Sequence, residues 1–142
     1  LVHRVMLTLL NTIRKGGNGK GDGLDEKTKR IVITEWTGIL KHNPQLFENA
    51  WLRSSSRSAS IKHTFSKDDQ SSQIGFSGLS TVIRNFFNKI IAEQQLEDTQ
   101  NRATCEALGA RHCDFVSRGF NSAFWDVFLV GSSLIFDIYL IS

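Results

Sequence analysis

Residues 76–90 read FSGLSTVIRNFFNKI, and this stretch decides the fold. Its apolar side chains recur every three or four residues, which is the period of an amphipathic α-helix. They are Phe76, Leu79, Ile83, Phe86, Phe87 and Ile90. The pattern predicts a long helix from about Ser72 to Glu93, with one wide apolar face turned towards the interior.

A single histidine follows this helix at the end of the string LGARH, residues 108–112. We predict a second long helix from about Asp98 to His112, with Asp98 as its N-cap. Thr104, Leu108 and His112 then share one face, because residues four apart lie above one another. A histidine opposite a wide apolar stripe has the arrangement that holds haem iron from one side, although such a residue is more often a structural histidine.

The composition describes one domain of 142 residues with 40% hydrophobic side chains, enough to bury a core. Ten Phe and three Trp suit an apolar core or an apolar ligand pocket. The formal net charge is +3, but no basic stripe is interleaved with exposed aromatics, so we expect no nucleic-acid partner.

Two cysteines, Cys105 and Cys113, fall on the predicted second long helix. Their separation along that helix is about 12 Å, whereas a disulfide needs Cα atoms within roughly 7 Å. We therefore expect free thiols, which favour a reducing compartment such as the cytoplasm. No Cys/His cluster has the spacing of a zinc site.

The rest of the chain also reads as helices, and no run alternates at period two, so no sheet is predicted. One helix is expected from about Asp25 to Lys41, and another after Pro44, since Pro suits a first helical turn. The polar run at residues 53–60 is expected to be a solvated loop rather than a phosphorylation site or a nucleic-acid contact. Residues 67–72 are expected to form a second polar loop.

Residues 1–23 are predicted to form an N-terminal extension that ends in a Gly- and Lys-rich linker, and residues 24–142 the folded domain. No small-residue cleavage site follows the first apolar stretch, so no signal peptide is expected. The pair Gly19-Lys20 does not complete a phosphate-binding loop, because the first glycine of that motif falls at Arg14 and neither Ser nor Thr follows Lys20.

The chain ends in an apolar tail, residues 129–142. Asp126 and Asp137 are costly at the centre of a bilayer. We therefore expect the tail to form a core helix rather than a membrane span.

In order and spacing, these motifs resemble the globin family, in particular its invertebrate and neuroglobin-like members. Globins carry a Trp in their first helix, as at Trp36, and a Leu-Phe-x-x-x-aromatic pattern in the second, as at residues 46–51. A Phe stands at the corner that follows, as at Phe65. A Leu-Gly-x-x-His string ends at the proximal histidine, as at residues 108–112. The resemblance covers about residues 24–128.

The globin helix that carries the distal position begins with a Phe three residues earlier, which here places the distal position at Leu79. His112 follows it at close to the family's spacing. Residues 118–128 resemble the start of the next globin helix. The family's last long helix has no counterpart before Ser142, so we expect that helix to be missing or altered.

The resemblance implies an all-α, globin-like fold around haem b, with His112 as the ligand to iron. We expect its second ring nitrogen to donate to a backbone carbonyl, which fixes the direction of the ring. Leu108, Phe120 and Phe124 are expected to line the same side. The family's activity is reversible binding of oxygen, carbon monoxide or nitric oxide, for oxygen transport or for gas and redox sensing, without enzymatic activity.

On the opposite side, the resemblance implies that Phe65 lies flat against the porphyrin and that Phe47, Leu79 and Ile83 leave a dry space for the gas. Leu79 stands where globins commonly carry His or Gln and cannot donate to bound oxygen. A charge-assisted hydrogen bond is worth about 1.5–3 kcal/mol. Its loss weakens oxygen binding roughly ten- to a hundred-fold relative to carbon monoxide.

Three alternatives remain open from the residues alone. His63 is a candidate sixth ligand, with an exposed loop position as the default. The chain is alternatively a helical interaction module without haem, whose apolar stripe packs as core. It is also readable as a membrane-associated haem sensor.

Overall fold

The computed structural model describes residues 24–65, 76–118, 120–121, 123–124, 126–128 and 130–131. Five α-helices lie in these ranges: α1 (Glu26–His42), α2 (Leu46–Arg57), α3 (Ala59–Phe65), α4 (Phe76–Asn88) and α5 (Asp98–Asp114). A π-helical segment (Lys89–Glu93) extends α4, and a 3-10 turn (Val116–Arg118) follows α5. The described part of residues 123–131 is also helical.

The fold is all-α, as the sequence predicts, and no strand occurs in the described residues. No helix among them has the length and apolarity to cross a membrane. Four predictions fall outside these residues: the extension and linker at 1–23, the loop at 67–72, the helix start at Ser72 and the tail beyond residue 131.

Helix α1 begins at Glu26, one residue after the predicted start, and Asp25 acts as its N-cap. The Asp25 carboxylate accepts the backbone N–H of Thr28 at 2.9 Å and the Thr28 hydroxyl at 2.7 Å. Val32 and Trp36 then turn into the core. The Trp36 indole N–H donates to Asn88 Oδ1 at 3.3 Å and so ties α1 to the end of α4.

The core lies between α1, α2 and α4 and is built around three aromatic rings. Phe47 stacks on Phe87 with ring centroids 5.6 Å apart and an interplanar angle of 9°. The Trp36 ring meets Phe47 at 6.3 Å and 60°. Full burial of an aromatic or branched aliphatic side chain stabilises a fold by about 1.5–3 kcal/mol, so this aromatic contact is a principal support of the bundle.

The predicted loop at residues 53–60 is wrong. Helix α2 continues to Arg57 and α3 starts at Ala59. Ser54 is completely buried, and its hydroxyl donates to the Ala50 carbonyl oxygen at 2.8 Å. Serine satisfies its hydroxyl on the preceding turn of a helix, so a polar, Ser-rich composition does not by itself indicate a loop.

The C-terminal helical residues pack against α2. Phe128 lies over Trp51 with ring centroids 4.6 Å apart. Gly131 approaches so closely that a Cβ there would collide with the Ser54 hydroxyl. The small residues at this crossing therefore let the two backbones come together.

Helix α5 begins at Asp98, as predicted, but its N-cap is Glu97 and not Asp98. The Glu97 carboxylate accepts the backbone N–H groups of Thr99 at 3.0 Å and Gln100 at 2.8 Å. These bonds, with that from Gln100 the strongest, lower the pKa of Glu97. Asp98 instead pairs with Lys29 of α1 at 3.0 Å.

Candidate functional site

His112 lies in the last turn of α5, and its ring is half-buried. Its Nδ1 is 2.8 Å from the Leu108 carbonyl oxygen, one turn earlier. A carbonyl can only accept, so Nδ1 carries the hydrogen of the neutral ring and the lone pair lies on Nε2. This is the backbone contact expected for a histidine whose other nitrogen binds a metal.

Two phenylalanine rings flank the His112 imidazole. Phe120 lies 5.0 Å away between ring centroids at an interplanar angle of 66°, and Phe115 lies 5.3 Å away at 73°. Phe124 in turn meets Phe120 at 5.9 Å and 90°. Such edge-on contacts favour one ring orientation, so hydrogen bonding and packing together fix the imidazole.

This enclosure also changes the protonation of His112. Burial lowers the pKa of the imidazole, and the hydrogen bond to the Leu108 carbonyl raises it by less. The ring therefore stays neutral at pH 7, because the ordinary pKa of histidine is already about 6.5. Neutral imidazole is the form that binds a metal.

Three of the residues predicted to line the His112 side are connected to it by contacts, either directly or through a neighbouring ring. Phe120 contacts the ring directly and Phe124 contacts Phe120, whereas Leu108 supplies the carbonyl and is half-buried against the core. Phe115 was not predicted from the sequence. The available signal was its distance of three residues from His112, which places it one turn further on.

The residues predicted for the opposite side belong to α2, α3 and α4. Leu79 and Ile83 are half-buried on one face of α4, packed against the core. Phe47 is only 3% exposed and stacks within the core. Phe65 ends α3, but its side chain lies outside the described residues. That these four face a pocket shared with His112 stays a prediction.

Other groups offer weaker chemistry. His63 is exposed on α3, a helix rather than the expected loop. Both cysteines are free, as predicted. Burial raises the pKa of Cys105 to about 11, so that thiol is protonated and unreactive at neutral pH. Within the described residues, no three His, Cys, Asp or Glu side chains are grouped to hold a metal ion.

No protein-family model matches this chain, and no curated protein or solved structure matches it either. The resemblance to globins therefore rests on the motifs of the sequence alone.

Proposed function

We propose that this protein is a haem-binding globin that reversibly binds a diatomic gas, with His112 as its one obligatory iron ligand. The observation that supports it best is the state of His112. One nitrogen is committed to the Leu108 carbonyl, the ring is flanked by Phe115 and Phe120, and burial favours the neutral form.

The donor set at His112 suits haem. A porphyrin supplies four nitrogens to its iron, so the protein needs to add only one axial ligand. Zinc, by comparison, takes three or four protein ligands. A single neutral imidazole among phenylalanine rings offers one donor and an apolar surface, which matches a flat apolar cofactor.

When bound, haem supplies the iron centre at which the gas is held. His112 Nε2 would hold that iron, and the Leu108 carbonyl would keep the nitrogen pointed in one direction. Leu79 and Ile83 would give the opposite side aliphatic surfaces that exclude water. Because Leu79 donates no hydrogen bond, we expect weak discrimination in favour of oxygen over carbon monoxide.

One observation favours a second candidate, a helical interaction module without haem. Phe87 and Ile90 of the apolar stripe are already fully buried, and Phe87 stacks directly on Phe47. This part of the stripe therefore needs no cofactor to cover it. The two candidates differ in whether the stripe's other residues, such as Leu79 and Ile83, face a ligand.

Titration of the full chain with hemin separates these candidates. A globin saturates at one haem per chain with a sharp Soret band, and after reduction it binds carbon monoxide reversibly. A broad, non-saturating spectrum equal to that of hemin with an unrelated helical protein contradicts the proposal and leaves the interaction module.

A further inference from the structure

Lys29 links the first helix to the helix that carries His112. Its side chain is 8% exposed, and its ammonium nitrogen lies 3.0 Å from Asp98 Oδ1 and 3.2 Å from Glu26 Oε1. Glu26 belongs to α1 itself, whereas Asp98 is the first residue of α5. The bond to Asp98 is the main cause of a raised pKa at Lys29, outweighing the opposing effect of burial.

Further contacts hold the same half of α5. Gln94, just before the helix, and Thr104 exchange two side-chain hydrogen bonds at 2.9 and 3.3 Å. Asn101 and Cys105 are the buried residues of the helix. Beyond Cys105, the described side chains of α5 are half-buried or exposed. The buried side chains of α5 in the described structure therefore lie in its N-terminal half, which is also the half that Lys29 and Gln94 contact.

Because these contacts hold the N-terminal half of α5, a small rotation about that half moves the opposite end of the helix. The rise from Asp98 to His112 is about 21 Å at 1.5 Å per residue. A rotation of roughly 5° about the anchored end therefore displaces the imidazole by about 2 Å. Displacements of that size are large against the tolerance of a preorganised ligand site, which is about 0.5 Å.

We propose that Lys29 is a positioning residue: by pairing with Asp98 it fixes the N-terminal end of α5 and so sets the place of the His112 imidazole. The consequence for iron rests on the function proposed above. The anchoring of α5 does not, because it concerns the protein alone.

The test compares four variants of the full chain by amide hydrogen exchange. Lys29→Met keeps most of the length of the side chain and removes its charge, and Asp98→Asn removes the negative charge of the partner from an exposed position. Lys29→Arg is the conservative replacement. Glu26→Gln is the matched control, because it takes a carboxylate from the same ammonium group without cutting the link between helices.

Lys29→Met and Asp98→Asn should accelerate exchange in α5 about three- to five-fold relative to α2 and α4, because the lost bond joins two helices but its Asp98 end is exposed to solvent. Glu26→Gln should change it by less than about two-fold, since an exposed pair within one helix contributes little. Lys29→Arg should retain most of the protection. Unchanged exchange, or equal acceleration in every helix, overturns the anchor.

A second readout uses the haem-loaded chain. The iron–histidine stretching band of the ferrous form should shift or broaden in Lys29→Met and Asp98→Asn and stay as in the parent in Glu26→Gln. An unchanged band in all three overturns the positioning role. If the parent itself takes up no haem, the proposed function fails, and the exchange measurement still decides whether Lys29 anchors α5.

Discussion

The last turns of α1 and α5 each contain a histidine that is hydrogen-bonded to the carbonyl one turn earlier, but the surroundings of the two rings differ. His42 is the last residue of α1, with its Nδ1 2.7 Å from the Gly38 carbonyl oxygen, and His112 lies in the last turn of α5, with its Nδ1 2.8 Å from the Leu108 carbonyl oxygen. His42 is exposed, whereas His112 is half-buried beside Phe120. The hydrogen bond is therefore a property of a histidine in the last turn of a helix, and the aromatic enclosure is what distinguishes His112.

This difference indicates what a ligand histidine needs. Both rings have their tautomer set by a carbonyl, so the bond alone does not select a site. Packing restricts the rotation of the His112 ring and lowers its pKa through burial, and both effects favour metal binding at neutral pH. His42 is consequently the natural control for His112.

The largest expected effect is on haem affinity. His112→Ala should weaken hemin binding at least about a hundred-fold, equivalent to roughly 2.7 kcal/mol, because it removes the proposed protein donor to iron. His42→Ala should leave the affinity unchanged. Absorption titration of both variants checks this, and equal losses in the two would remove the distinction between the helix ends.

The next effect concerns the proposed haem pocket on the side opposite His112. Leu79→His should place a donor over the iron and slow oxygen dissociation about ten-fold, for ~1.4 kcal/mol of stabilisation. Carbon monoxide should respond much less, since it carries little charge. Flash photolysis and stopped-flow measurements follow both gases. Unchanged kinetics together with an unchanged spectrum would show that Leu79 does not face the iron.

A smaller effect on stability distinguishes Gly38 and Leu108, whose carbonyls contact His42 and His112. No atom lies within 4 Å of a Cβ built on Gly38, so Gly38→Ala should stabilise α1 by about 0.5–1 kcal/mol through its helix propensity. Leu108→Ala should instead destabilise the protein, because Leu108 packs against the core. Urea unfolding of both variants measures the contrast. Stabilisation by both substitutions would mean that Leu108 makes no useful contact.

The smallest expected effect is on the pH dependence of stability. The pKa of His112 is lowered in the folded state, so the unfolded chain binds the extra proton first. Stability should therefore fall as pH decreases below about 6.5, the ordinary value for histidine. The haem-free His112→Gln variant should lose less stability than the parent between pH 7 and pH 5. An identical decline of stability in the variant and the parent would mean that the His112 ring is as exposed to solvent in the folded chain as in the unfolded one.

Much of the fold follows from the sequence, because apolar spacing and capping residues are local signals. The start of α1 next to Asp25 and the buried Trp36 and Phe87 are examples. The helical serines near Ser54 were misread because composition does not reveal a hydroxyl bonded to its own helix. The π-helical segment after α4 likewise has no sequence marker.

The candidate site was only partly predictable. His112, Leu108 and Phe120 follow from the string at residues 108–112 and from the aromatic run after it. The contact with Phe115 depends on the turn that ends α5, and the Lys29–Asp98 pair joins residues far apart in the chain. Neither arises from a periodic pattern, so both required the tertiary structure.

The most direct test of the account is chemical rescue of the His112 ligand. His112→Gly removes the ring and leaves room for free imidazole in its place. The account predicts that the variant with hemin lacks the parent's ferrous and carbonyl spectra, and that added imidazole restores both, while His42→Gly matches the parent throughout. A His112→Gly variant that shows the parent's spectra without imidazole would contradict the assignment of His112 as the iron ligand.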